Sequence, residues 1–300
     1  NSEIGMDITK IALIYNFKRE FEDSVLKEAQ DLNYNFDEKN KRVDYTKEFI
    51  FTIDGVDAKD LDDAVSVKKL DNGNYQLGVY IADVSYYVKE DSLLDKEAYN
   101  RGTSVYLVDR VLPMLPHRLS NGICSLNPNV DRLAMSCIMK IDKKGKIVGS
   151  KICKSVIRSR MQMTYEAVND ILDKNLIKEG YEPYIEDLKL MKQISELLRT
   201  KMVNRGYIEF SSPEAKIIVD EECKPIDIRL RNEGTGEKMI ENFMVAANET
   251  VGSFIFYQTL PGIYRVHDKP DEKRLASFFS FLVSRGYTVT GKKKDITSRD

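Results

Sequence analysis

Five aspartates lie within ten residues of one another in the segment FTIDGVDAKDLDDAV: Asp54, Asp57, Asp60, Asp62 and Asp63. Carboxylates this close repel each other, and the repulsion is relieved when they sit apart in water, take up protons or bind a cation. The apolar segments FIFTI at 49–53 and AVSV at 64–67 flank the cluster and predict buried strands. A metal site and a solvated acidic turn are both compatible with this pattern.

The chemistry of a metal site would depend on how these carboxylates converge. Mg²⁺ prefers oxygen ligands and usually takes one or two carboxylates together with waters and phosphate oxygens. In an extended segment Asp60 and Asp62 project to one face and Asp63 to the other, so a bend must bring Asp54 and Asp63 to the same ions. Four converging carboxylates suit a pair of metal ions that activate a water and stabilise a leaving oxygen.

Two other acidic motifs are alternatives to this interpretation. A calcium EF-hand is excluded, because its third, fifth and twelfth positions counted from Asp54 would be Val56, Ala58 and Val65. The D-L-D tripeptide at 60–62 matches the short motif of sugar-nucleotide transferases, which is common by chance.

The elements that would position the cluster follow from apolar spacing and from turn residues. Helices are predicted at 8–32, Ser92 to Gly102, 164–175, 183–205, 236–259 and 271–286. Strands are predicted at 49–53, 64–69, 74–82, 133–141, 147–157, 207–211, 215–220 and 225–231. The mixture predicts an α+β fold, with a mixed sheet core flanked by helices and a helical arm with its lead-in segment at 1–48.

Composition limits the class of protein without identifying a partner. Apolar residues make up 42% of the 300, enough for a core, and the net charge of -2 predicts no charged partner. The four cysteines are widely spaced, which favours reduced thiols over a disulfide framework. No signal peptide or membrane-spanning apolar segment is visible, so we expect a soluble, cytoplasmic protein without membrane partners.

Longer motifs surround the aspartates in a fixed order. TIDGVDAKDLDDAV is followed by YIADVSYYV at 80–88 and LDKEAYNRGTSVYLVDRVLPMLPHRLSNGICSLNPNVDRLAMSC at 94–137. RVDYTKEF at 42–49 precedes them, and IENFMVAAN at 240–248 and YRVHDKP at 264–270 follow. Together these motifs resemble the catalytic RNB domain of the RNase II/RNase R exoribonuclease family, and most closely its bacterial RNase R members.

The resemblance implies an activity and a set of metal ligands. It implies an enzyme that hydrolyses single-stranded RNA processively from the 3′ end, releases nucleoside 5′-monophosphates and does not act on DNA. The family's metal-site aspartates match Asp54, Asp60, Asp62 and Asp63, with Asp60 and Asp62 given catalytic roles, whereas Asp57 is not in the set. Two Mg²⁺ ions are the implied cofactor, and Mn²⁺ accepts the same oxygen ligands.

The resemblance also implies RNA-binding residues. Tyr106 matches a tyrosine that stacks on the 3′-terminal nucleotide, Phe210 a partner aromatic, and Glu241 a glutamate near the terminal ribose. From the residues alone, the two aromatics could equally fill core and the glutamate could be an ordinary surface carboxylate. Asp83 is expected either to support the site or to cap the turn that follows it, and His267 to be structural.

The chain departs from the family pattern at both ends. Members of the family carry cold-shock modules before this domain and an S1 module after it, and neither is found in the sequence. The block resembling HFTSPIRRY, which supplies an arginine to the scissile phosphate, is also missing. We therefore expect residues 49–300 to form an RNB-like catalytic domain truncated at its C-terminal end, with weak or no activity. A non-catalytic RNA-binding fragment that retains the fold is the alternative.

Overall fold

A computed structural model describes residues 5–33, 36–209, 215–230, 233–264, 266 and 268–288. The helices are α1 (Met6–Ile14), α2 (Asp23–Asp31), α3 (Phe36–Lys39), α4 (Val84–Tyr87), α5 (Leu93–Arg101), α6 (Tyr165–Lys174), α7 (Ile185–Asn204), α8 (Thr235–Tyr257) and α9 (Glu272–Ser284). The strands are β1 (Val43–Asp54), β2 (Asp63–Lys69), β3 (Tyr75–Ala82), β4 (Val105–Tyr106), β5 (Val111–Leu112), β6 (Asp131–Ile141), β7 (Ile147–Thr164), β8 (Ala215–Val219) and β9 (Pro225–Leu230). A π-helical turn spans Arg118–Ile123 and a 3₁₀ turn spans Glu182–Tyr184.

Five of these strands close into a barrel in the order β1-β2-β3-β6-β7. Neighbouring strands are antiparallel except at the closure, where β1 and β7 run parallel and Asp54 lies opposite Thr164. Because β1 ends at Asp54 and the antiparallel β2 begins at Asp63, the two aspartates lie at the same end of the barrel. The predicted α+β fold with a mixed sheet is confirmed.

The main hydrophobic core lies between the barrel and helices α6, α7 and α8. Apolar side chains of alternating barrel positions, such as Phe51, Val65 and Met139, pack with Ile194 of α7 and Phe243 of α8. All five of these side chains are fully buried. Burial of this cluster fixes the barrel end at which β1 meets β2, since both strands contribute to it.

The N-terminal arm differs from the prediction of one helical segment at 8–32. Asn16 adopts a left-handed conformation with φ of 56° just after α1, and the chain is extended before α2 begins at Asp23. Such a left-handed residue ends a helix, and asparagine tolerates it. Helix α2 buries Val25 and Ala29 against Leu94 of α5 and so attaches the arm to the domain.

The strand boundaries also differ in places. β1 begins at Val43, six positions before the predicted Phe49, and β7 continues to Thr164. No strand forms at 207–209, and residues 210–211 of that prediction lie outside the described residues. The helix predicted from Ser92 to Gly102 is confirmed, because Ser92 Oγ accepts a hydrogen bond from Asp95 N and Gly102 ends the helix with φ of 72°.

Two expectations from composition can be compared with the structure. The four cysteines are free thiols, as the spacing predicted. Among the described residues, no helix has the length and apolarity required to cross a membrane.

Candidate active site

The acidic loop, defined as residues 55–62, joins β1 to β2 and brings the aspartates to one end of the barrel. Leu61 lies fully buried within this loop, while Asp62 is exposed and Asp60 is half-buried. Alternation of side chains along an extended segment explains this order, because the burial of Leu61 directs both of its neighbours outward. Asp54 and Asp63, at the ends of the strands, are half-buried.

Hydrogen bonds from two other segments hold the backbone of the acidic loop against the barrel. Leu61 N donates to Ser125 Oγ at 3.0 Å, and Leu126 N donates to Leu61 O at 2.8 Å. Gln162 Nε2, from β7, donates to Ala58 O at 3.0 Å. A loop whose buried backbone groups are paired in this way has a defined path rather than a solvated, variable one.

Electrostatic coupling shows which aspartates the fold brings together. Burial raises the pKa of Asp54 to about 7, with further contributions from the charges of Asp63, Asp60 and Asp62. The pKa of Asp63 is raised to about 6 by burial and then by the Asp62 charge, and that of Asp62 is raised by burial and then by the Asp60 charge. Asp57 is exposed and contributes to none of these shifts. The four predicted ligands are therefore neighbours, and Asp57 stands apart from them.

The donor set of this cluster fits a hard divalent cation. Oδ2 of Asp54 is buried and has no hydrogen-bond partner, which leaves a buried oxygen whose negative charge a cation could neutralise. In the described part of the chain, however, no three His, Cys, Asp or Glu side chains are placed so that they could hold a metal ion as they stand. The carboxylates would have to turn towards one another on binding, and the ligand set remains a prediction.

Tyr106 lies beside this cluster on the short strand β4. Its hydroxyl donates to Asp60 Oδ2 at 3.0 Å, and its side chain is 67% exposed. Burial of the hydroxyl end, the hydrogen bond to Asp60 and the charges of Asp60 and Asp62 raise the pKa of Tyr106. The ring is therefore not a core aromatic, and it presents a flat surface to solvent next to a carboxylate predicted to bind metal.

The other predicted RNA-binding residues are less well placed by the structure. Glu241 is exposed on α8, and in the described residues no hydrogen bond or ion pair joins it to the acidic loop. Phe210 and His267 lie outside the described residues. The roles predicted for Glu241 and Phe210 stay predictions.

Asp83 is a buried ion-pair partner rather than a cap. It stands at the N-cap position of α4 but makes no capping bond with its side chain. Its Oδ2 lies 2.7 Å from Arg42 Nη1, an ion-pair contact whose angle does not satisfy a hydrogen bond, and its Oδ1 accepts from Ser85 Oγ at 3.0 Å. Arg42 also bonds Glu38 and lies 5.2 Å from the centre of the Tyr86 ring. The pair joins the segment before β1 to the end of β3.

That end of β3 also contacts the acidic loop. Ala82 N, one residue before Asp83, donates to Asp62 O at 2.9 Å. The Arg42–Asp83 pair therefore supports the strand that holds the backbone of a predicted ligand. Residue type and spacing do not single out Arg42, Ser125 or Gln162, because the partners described here are distant in sequence.

These features define an RNB-type domain, and comparison with known proteins agrees. The model of the RNB domain family matches residues 42–299, and the chain belongs to this family. Ribonuclease R 1 of Lactococcus lactis is 46% identical over 298 residues, which cover 98% of this chain and 36% of that protein. Ribonuclease R of Thermotoga maritima is 47% identical over 270 residues, which cover 89% of this chain and 38% of that protein. The predicted family and its similarity to bacterial RNase R are confirmed.

Solved structures show the same relationship. Mycoplasma genitalium RNase R in complex with ribose-methylated single-stranded RNA matches 100% of this chain with a TM-score of 0.94 and 35% identity, over 47% of its own length. Yeast Ssd1, a pseudonuclease, matches 85% of this chain and 31% of its own with a TM-score of 0.68 and 19% identity, a similarity of fold alone. This chain thus spans about a third to a half of the length of the ribonucleases R that it matches.

Proposed function

We propose that this chain carries the metal site of a 3′-to-5′ exoribonuclease that hydrolyses single-stranded RNA and releases nucleoside 5′-monophosphates. The observation that carries the proposal is the hydrogen bond between the exposed Tyr106 and Asp60 within a cluster of four coupled aspartates. Because of this hydrogen bond, an aromatic ring on which a base could stack lies beside carboxylates that suit a divalent cation. The similarity to ribonucleases R, one of which is solved with single-stranded RNA, supports the same conclusion.

The proposed mechanism assigns a task to each of these side chains. Asp54, Asp60, Asp62 and Asp63 would hold Mg²⁺, which when bound supplies an activated water and charge stabilisation at the phosphorus. The ring of Tyr106 would stack on the terminal base, and stacking tolerates any base because each has a π-face. Its hydroxyl would hold Asp60 in a fixed orientation, so that the base and the carboxylates keep a constant spacing.

A non-catalytic RNA-binding protein is the second candidate. The similarity of fold to yeast Ssd1 favours it, because this fold also occurs in a protein described as a pseudonuclease. The presence of all four coupled aspartates favours the catalytic proposal, since carboxylates placed together are unfavourable without a cation or proton to neutralise them.

Dependence on a divalent cation is the first test. With single-stranded RNA labelled at the 5′ end, we expect products that shorten progressively from the 3′ end in Mg²⁺, and no products in excess EDTA. The physical reason is that carboxylates alone repel the phosphodiester, whereas bound cations attract it. Internal cuts, or equal degradation in EDTA, would contradict the proposal. Binding of RNA without degradation in Mg²⁺ would favour the non-catalytic candidate.

Substitution of Tyr106 tests the stacking surface. We expect Tyr106→Ala to weaken binding of single-stranded RNA by about 10- to 100-fold, because a stacked base contributes roughly 1–3 kcal/mol. Tyr106→Phe keeps the ring and loses the bond to Asp60, so it should retain most of the affinity. Fluorescence anisotropy in an Asp62→Asn background measures the affinity without consuming the RNA. Tyr99→Ala is the matched control, since Tyr99 is 87% exposed on α5. If both substitutions reduced the affinity for RNA equally, Tyr106 would have no specific role in stacking.

A further inference from the structure

A buried hydroxyl bonds the acidic loop at the point between its two outward-facing aspartates. Ser125 Oγ accepts a hydrogen bond from Leu61 N at 3.0 Å and donates to Lys59 O at 2.9 Å. Asn127 Oδ1, at 3.4 Å, is a more distant acceptor for the same proton. Ser125 is fully buried, so water does not compete for these bonds. The hydroxyl therefore bonds the backbone on both sides of Asp60.

The chemistry of this contact requires a group that both donates and accepts. A serine hydroxyl has one proton to give to the Lys59 carbonyl and lone pairs to receive the Leu61 amide. Alanine at this position would leave the amide of a fully buried residue without its partner. A buried backbone group without a partner is unfavourable, so the loop would move to reach another acceptor or water.

Ser125 is itself fixed by the segment around it. Its carbonyl accepts from Arg132 Nε at 2.8 Å and from Asn127 N at 2.8 Å. The next residue, Leu126, is fully buried and donates its amide to Leu61 O at 2.8 Å. Ser125 and Leu126 thus form hydrogen bonds with the amide and the carbonyl of Leu61. The segment that carries them is itself bonded to Arg132 at the start of β6.

Movement of Leu61 would change both of its neighbours. Asp60 and Asp62 are joined to it covalently, and Asp60 Oδ2 also accepts a hydrogen bond from the Tyr106 hydroxyl. A shift of the loop would alter the distance between the two carboxylates and the distance of Asp60 from Tyr106. Groups that orient metal ligands without touching the metal alter affinity by this route.

We propose that Ser125 is a positioning residue of the metal site, which sets the affinity for divalent cations by fixing the backbone between Asp60 and Asp62. Its hydroxyl bonds the backbone of the loop, and among the described residues no hydrogen bond joins it to a carboxylate of the cluster. The inference rests on the proposed function for the identity of the ligands.

The test compares Ser125→Ala with a control that removes a buried hydroxyl elsewhere in the barrel. Ser136 serves this purpose, because its hydroxyl bonds only that of Ser155 in the interior between β6 and β7. Titration calorimetry with Mg²⁺ in the absence of RNA measures affinity, and hydrogen–deuterium exchange measures protection of the Leu61 amide. Thermal melting of each variant measures global stability.

We expect Ser125→Ala to lower Mg²⁺ affinity by about 10- to 100-fold and to speed exchange at Leu61, whereas Ser136→Ala should change neither. A merely structural role would lower the melting temperature of both variants and leave the affinity of folded protein unchanged, which would overturn the proposal. The proposal would also be overturned if Ser125→Ala had the same Mg²⁺ affinity and the same exchange rate at the Leu61 amide as the unsubstituted chain. If the unsubstituted chain binds Mg²⁺ but does not degrade RNA, the exonuclease proposal fails, and the affinity ratio still decides the role of Ser125.

Discussion

Replacement of Asp62 by asparagine is expected to lower turnover of single-stranded RNA by at least about 100-fold while RNA affinity stays within a few-fold of the original. Asparagine keeps the size of the side chain and removes its charge, so a cation loses attraction at this position. Asp62 is the most exposed of the four coupled aspartates. The substitution leaves the stacking surface of Tyr106 unchanged, so we expect the affinity for RNA to be retained.

The matched control is Asp57→Asn in the same loop. Asp57 is exposed and is not among the charges that raise the pKa of Asp54, so we expect its replacement to leave turnover unchanged. Single-turnover assays with labelled RNA, together with anisotropy, separate the rate from the affinity. Unchanged turnover and unchanged affinity in Asp62→Asn would remove Asp62 from the catalytic set.

Loss of the buried Arg42–Asp83 pair is expected to have the largest effect on stability. Arg42→Ala should lower the free energy of unfolding by about 3–5 kcal/mol, because it leaves the Asp83 carboxylate buried without its cation. The two side chains are 1% and 2% exposed, so solvent cannot take over the missing charge. The contact of Arg42 with the Tyr86 ring is lost as well. Urea denaturation followed by circular dichroism gives the free energy and the m-value.

An exposed ion pair supplies the control for this experiment. Arg229 lies 2.6 Å from Asp227 on β9, and the side chains are 70% and 44% exposed. Arg229→Ala should change the free energy of unfolding by no more than about 0.5 kcal/mol, since solvent screens such pairs. If Arg42→Ala is as mild as this control, the burial of Asp83 is not stabilised by Arg42. The double variant Arg42→Met, Asp83→Leu should recover part of the loss, because apolar residues can replace a buried pair.

Much of the fold could be predicted from local patterns, and the differences have local causes. The β2–β3 hairpin follows from alternating apolar residues around the turn at Gly73, and helix α5 follows from its Ser92 and Gly102 caps. Apolar spacing does not predict the break between α1 and α2, because the spacing continues across Asn16. Closure of the barrel could not be predicted, because the parallel pairing of β1 with β7 leaves no signal in either strand alone.

The candidate site also combines residues that the sequence predicts with contacts that it does not predict. Residue types and spacing identified the aspartates, and the fold brings four of them together while it leaves Asp57 apart. Tyr106 was found through its motif, and its bond to Asp60 could not be read from the sequence. The sequence does not predict the role of Ser125, because its partner Leu61 lies 64 positions earlier and a serine in a loop carries no signal of its own. Such contacts depend on tertiary packing, which composition and periodicity do not encode.

The parallel contact of β1 with β7 also governs when the acidic loop can reach its final shape. The loop is synthesised before its supports Ser125 and Gln162, which belong to later segments. Pairing between distant strands forms slowly, because the entropy of loop closure must be overcome first, and N-terminal segments leave the ribosome before their partners exist. A chain still being translated has Asp54 to Asp63 outside the tunnel before β7 can close the barrel. The order of synthesis therefore delays assembly of the aspartate cluster until most of the barrel has left the ribosome.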